Sequence, residues 1–155
     1  MKNGVRGVAV HDAVRLEQCI PFAVDCSRVR LYGSGCRGMS GLLRRTVLGA
    51  SRGRAIALGN HVFLPDRHDG DPAVLAHELT HCGQYQAWGP VRYFARGALE
   101  QLRHLLYRRL GIGSNPYDYQ TNPPRPFTAY GMEQQAQMVE DRFRSGQPDH
   151  AMPSA

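Results

Sequence analysis

The chain has 155 residues, a net charge of +6 and 42% hydrophobic residues. That length suits one compact domain with a useful core. No stretch approaches the roughly 20 apolar residues of a membrane span, and Met1–Arg6 lacks an apolar signal core. The expectation is a soluble chain, cytoplasmic at synthesis, with export only through a specialised secretion system. The positive charge is nearly all arginine, spread from Arg6 to Arg144 and not interleaved with aromatics. That pattern reads as solvated surface, so nucleic acid is not an expected partner.

In chain order, residues 1–20 are weakly patterned, with a short helix expected at 12–19. Residues 21–146 read as the folded domain, and 147–155 as a flexible tail. Val29 and Leu31 alternate with Arg28 and Arg30, the signature of a half-buried strand. Gly33-Ser34-Gly35 predicts a turn, and 38–48 a short glycine-weakened helix. Residues 55–64 read as two strands broken at Gly59-Asn60. His61 and His68 read as strand or surface residues. Cys19, Cys26, Cys36 and Cys82 fit no zinc spacing; free thiols are the default expectation, with a disulfide among Cys19, Cys26 and Cys36 open in an oxidising compartment.

The stretch from Asp71 to Tyr85 carries the chemistry. Asp71 is a suitable N-cap, Pro72 suits the first helical position, and Gly89-Pro90 supplies a stop. At about 100° per residue, Leu75, Ala76, Leu79, Cys82 and Gly83 share one side of this helix. His77, His81 and Trp88 share the other, flanked by Glu78 and Tyr85. The sequence His77-Glu78-Leu79-Thr80-His81 therefore stacks two imidazoles one turn apart, as a shared metal ion requires. Glu78 lies beside them as a general base. The wheel also predicts Tyr85 and Trp88 lining or bordering the cleft.

Downstream, Val91, Phe94, Ala95, Ala98, Leu99, Leu102, Leu105, Leu106 and Leu110 trace an apolar stripe expected to pack in the core. A third helix is expected from 131 to 144, with Met132, Ala136, Val139 and Phe143 inward. A hydrolytic zinc site needs a third ligand and an open position. Glu100 and His104 lie opposite the apolar stripe and read as outward, and Asp141 points away from its own helix's core face. Glu133 and Glu140 border that core face, and helical geometry alone leaves both open.

The His77–His81 motif, followed by Gln84-Tyr85-Gln86-x-Trp88-Gly89-Pro90 and Tyr130-Gly131-Met132-Glu133-Gln134-Gln135-Ala136, resembles the Vgr-related zinc metallopeptidases. These include domains attached to type VI secretion spikes, within the wider gluzincin group. The resemblance covers about residues 54–144. It departs at Cys82-Gly83, where bulkier apolar residues are usual. It implies a minimal zincin-like α+β fold: a small N-terminal sheet followed by three main helices. It implies Zn2+ held by His77, His81 and Glu133, the last from a Glu-x-x-Ala pattern, with Glu78 as the base. Glu140 is then a partner for a ligand histidine. Tyr117, Tyr119, Tyr130 and His150 are candidate donors to the transition state.

The implied activity is peptide-bond hydrolysis by a secreted effector acting on a protein or peptide, with a secretion spike as a further partner. The alternative is a catalytically silent zinc-binding module of a secretion assembly. An intact Glu78 argues against that, because a structural site needs no base and is usually closed by four protein ligands. A protease of DNA-bound proteins is disfavoured by the scattered arginines.

Overall fold

The structure, a computed structural model, describes residues 4–9, 23–112, 118–120 and 125–146. The helix expected at 12–19, the tail from 147, Cys19, Tyr117 and His150 lie outside them. The architecture is α+β, a small sheet followed by helices, as the sequence predicts. Strand β1 (Arg30–Tyr32) leads into helix α1 (Gly38–Ala50), then the hairpin β2 (Ile56–Leu58) and β3 (His61–Phe63). Helix α2 (Pro72–Leu110) and helix α3 (Met132–Ser145) follow.

The strand order is β1-β3-β2, with β3 parallel to β1 and antiparallel to β2. A parallel pair cannot be joined by a tight turn, and α1 and β2 form the crossover. The hairpin turns at Gly59-Asn60. Gly59 has φ +64°, a region that L side chains enter only at a cost, and a Cβ there would sit 3.1 Å from the Tyr85 ring.

Side chains alternate across this sheet. Leu31, Val62 and Ala57 join Leu75, Ala76, Leu79 and Cys82 of α2 and Val139 and Phe143 of α3 in the main core. Tyr32 and Phe63 turn the other way, against Cys36 and the partly buried Val47 and Leu48 of α1. The sheet is thus covered on both faces. Cys82 is fully buried, and burial pushes its thiol well above the ordinary range. Cys36 and Cys82 are free thiols.

Helix α2 is two helical arms. Asp71 caps the first, accepting from the amides of Ala73 (2.9 Å) and Val74 (3.3 Å). At Gly89 the backbone leaves helical space (φ 75°, ψ 166°), and Pro90 opens the second arm. Proline there removes a backbone donor and fixes φ, so the chain changes direction. Gly111, in the left-handed region, ends the arm.

One sequence expectation is overturned in the second arm. Val91, Phe94, Leu99, Leu102, Leu105 and Leu110 are exposed, not packed in the core. The buried side is the opposite one. Tyr93 is buried, Gly97 faces Met132, and Glu100 packs against Gly131 with only 13% of its side chain exposed. Periodicity identified the stripe correctly, but the redirection at Gly89-Pro90 turns most of it away from the rest of the fold, leaving Phe94 and Ala98 at the edge of a cleft.

Candidate metal centre

Two helices build the site. The first arm of α2 is fixed by its apolar side in the core, which leaves His77, Glu78 and His81 facing a cleft of about 510 Å³. Helix α3 brings Glu133 and Glu140 to the same cleft, while Met132, Ala136, Val139 and Phe143 are buried. Glu133 Oε2 lies 3.8 Å from His77 Nε2 and 3.7 Å from His81 Nε2. One ligand atom from each of His77, His81 and Glu133 falls within 4.8 Å of the others. Tetrahedral zinc with bonds of about 2.0–2.1 Å spaces its ligand atoms about 3.3–3.4 Å apart, so the two distances from Glu133 need to contract by only a few tenths of an ångström. Two nitrogens and a carboxylate oxygen fit a zinc ion, and three ligands opening on a cleft fit a hydrolytic centre better than a closed structural one.

His81 is fixed by a buried amide chain. Gln135 Nε2 donates to Phe127 O (3.1 Å) and Tyr130 O (3.2 Å), which turns its Oε1 toward Gln84. Gln84 Nε2 donates to that Oε1 (2.9 Å) and to Met132 O (3.1 Å), so Gln84 Oε1 faces His81 Nδ1 at 2.9 Å. The two carbonyls at the far end therefore decide the tautomer: Nδ1 carries the proton, and Nε2 keeps its lone pair for a metal.

His77 is held differently. Its Nδ1 lies 3.1 Å from Glu140 Oε2. Arg144 braces Glu140 at 2.9 Å and reaches Asp71 Oδ2 at 3.3 Å. The N-cap of the motif helix, the last turn of α3 and one ligand imidazole are thus one polar chain.

The electrostatics follow. Burial opposes ionisation of Glu133, but His81, His77 and Arg54 outweigh it and hold the carboxyl at about 2. Burial disfavours a charged His81, yet the Glu133 carboxylate wins and raises the imidazole to about 9. Glu78 is 5% exposed, and its buried Oε2 has no hydrogen-bond partner among the described residues. Burial, assisted by Glu133 and Glu140, raises its pKa against the lowering effect of the two histidines. A carboxyl moved up from the ordinary range is better matched to accepting a proton near neutral pH.

The other candidates lie elsewhere. Tyr85 and Trp88 are not among the residues that line the cleft, and Tyr85 borders it through its neighbours. Tyr85 stacks edge-on against Tyr93 and Phe94, which do line it, and the Trp88 ring lies under Arg96, 4.3 Å from its Cζ. A wheel ignores rise, and Trp88 sits about 16 Å along the axis from His77. Tyr119 donates to Asp141 (2.8 Å), and Tyr130 Oη accepts from the Arg125 amide (3.1 Å); neither lines the cleft. Glu100 and His104 face inward rather than outward, but Glu100 is outside the three-ligand cluster and binds the Met132 amide at the start of α3. Sequence reasoning missed Gln84, Gln135, Arg54 and His68. Gln84 was detectable as an i, i+3 neighbour of His81, whereas the loop residue His68 and the cleft-lining Arg54 carry no comparable signal.

Residues 13–89 match the family model described as the eCIS core domain, for extracellular contractile injection system. The match takes in the sheet and the His77–His81 motif and stops before Glu133. It links the chain to secretion-system-associated modules. No curated protein and no solved structure matches the chain.

Proposed function

We propose that the protein is a zinc-dependent hydrolase of peptide bonds, working in the setting of a contractile injection or related secretion system. The observation that carries this reading is the convergence of His77, His81 and Glu133 in an open cleft beside a buried Glu78 whose Oε2 is unpartnered among the described residues. When bound by these three side chains, zinc would act as a Lewis acid toward the scissile carbonyl and acidify a water. Glu78 accepts the proton of the attacking water and delivers it to the leaving amine. Gln84 holds the His81 imidazole in register, and Glu140, 3.1 Å from His77 Nδ1, is the nearest acceptor for the other. Strand β2 is an edge strand whose residues line the cleft, so an extended peptide can lie along it. One edge carbonyl, Ala57 O, is already taken by Tyr93 Oη at 3.2 Å.

The test is cleavage of an unbiased peptide library by the zinc-loaded protein, with and without chelator. Chelator-sensitive cleavage restored by zinc supports the reading. Tight zinc binding without cleavage would favour the second reading, a silent partner module of a secretion assembly, to which the eCIS core match also points.

A further inference from the structure

The second arm of α2 carries an apolar face on the wrong side for a self-contained domain. Val91 is 84% exposed, Phe94 50%, Leu99 47%, Leu102 51%, Leu105 50% and Leu110 64%. At about 100° per residue these fall on one stripe, opposite the inward line of Tyr93, Gly97, Glu100 and His104. Isolated exposed leucines are ordinary, but a continuous stripe along an arm of roughly 30 Å marks an interaction surface.

The charges say what kind. The arm holds Arg92, Arg96, Arg103, Arg108 and Arg109, and its only acid is Glu100. Glu100 is turned into the fold, against Gly131 and the Met132 amide. Arg92, Arg96 and Arg103 run along one flank of the stripe, Arg108 lies on the other, and Arg109 interrupts the stripe near its end. Arg96 lies over the Trp88 ring. The exposed surface therefore has apolar side chains along most of its crest, cations beside them and Arg109 at its end, with no exposed carboxylate on the arm to repel an anion.

We propose that this arm docks on an anionic lipid surface, lying in its plane. Val91 and the leucines enter the acyl boundary while the arginines meet the headgroup phosphates. A bilayer with acidic headgroups over hydrocarbon matches both layers of the arm, and an interfacial helix of this composition seats its apolar face about 5–10 Å deep. No helix among the described residues is long and apolar enough to cross a membrane, so docking is peripheral. The inference is independent of hydrolysis at the metal centre.

The test is co-sedimentation of the full chain with vesicles of phosphatidylcholine alone and of phosphatidylcholine mixed with phosphatidylglycerol. Sedimentation velocity without lipid is run in parallel. The expected result is binding to the mixed vesicles only, weakened by salt. Replacing Arg92, Arg96 and Arg103 together with glutamine should weaken it roughly a hundredfold, at about fivefold per cation. Replacing Leu99, Leu102 and Leu105 with glutamine should abolish it. Glutamine is a good helix former and these positions are solvent-facing, so both variants should keep the parent's helical content and Tm. No binding to mixed vesicles overturns the proposal, as does binding that survives in the leucine variant. A dimer that disappears in the leucine variant would also overturn it, by showing that a second copy covers the stripe.

Discussion

Replacing Gln84 with methionine should damage both the fold and the metal centre. Gln84 is 1% exposed and cannot recruit solvent. Methionine fills most of the space but leaves His81 Nδ1 and Gln135 Oε1 without their partner, whereas Met132 O remains in a helix. An orphaned buried polar group costs about 1–3 kcal/mol, so two of them should destabilise by about 3 kcal/mol after relaxation. With its tautomer no longer fixed, His81 should also bind zinc about 10–100-fold more weakly. Gln84→Glu separates the two effects. Its carboxylate still accepts from His81 but cannot donate to Gln135, so it should lose stability while keeping most of the zinc affinity. Urea unfolding of the metal-free proteins gives the first quantity, and competition with a chromophoric chelator gives the second. A loss below about 1 kcal/mol with unchanged affinity in Gln84→Met would refute the amide-chain argument.

Zinc affinity should rise with pH. His81 is raised to about 9 in the metal-free protein, so at neutral pH zinc must displace its proton. Apparent affinity should increase about tenfold per pH unit toward 9 and then level off, with about one proton released on binding at pH 7 by calorimetry in two buffers. The same pair sets metal-free stability. The raised His81 contribution is complete below its unfolded value and is lost as pH rises through about 9, while the lowered Glu133 contribution is lost as pH falls toward about 2. Chemical unfolding should therefore show this contribution greatest between the two unfolded values, about 4.5 to 6.5. Gly59→Ala should cost about 1–2 kcal/mol, because alanine enters the left-handed region reluctantly and its Cβ meets the Tyr85 ring; an unchanged urea midpoint would count against it.

The sheet and the motif helix were readable because each announces itself locally. Val29 and Leu31 alternate with arginines, Gly59-Asn60 marks the hairpin, and Asp71-Pro72 marks the helix start. The parallel pairing of β1 with β3 has no local signal, since it depends on where α1 returns the chain. The stripe from Val91 to Leu110 shows the opposite limit. Its period was plain, but a period does not say which side the rest of the molecule occupies, and the bend at Gly89-Pro90 decided that. The same inversion turned Glu100 from an expected surface residue into one packed against the start of α3. The Gln84–Gln135 chain was hidden because glutamine pairs between helices leave no spacing pattern.

The central claim is that His77, His81 and Glu133 hold the metal while Glu78 does the proton transfer. Metal analysis and peptide cleavage by purified Glu78→Gln, Glu133→Gln and Glu100→Gln, beside the parent, test it most directly. Glu78→Gln should retain zinc and lose about 10²–10⁴-fold in hydrolysis, the usual worth of a general base. Glu133→Gln should lose zinc itself, because an amide is a poorer ligand than a carboxylate, and Glu100→Gln should keep both zinc and activity. Loss of zinc in Glu100→Gln with retention in Glu133→Gln would contradict the account, as would full hydrolysis by Glu78→Gln.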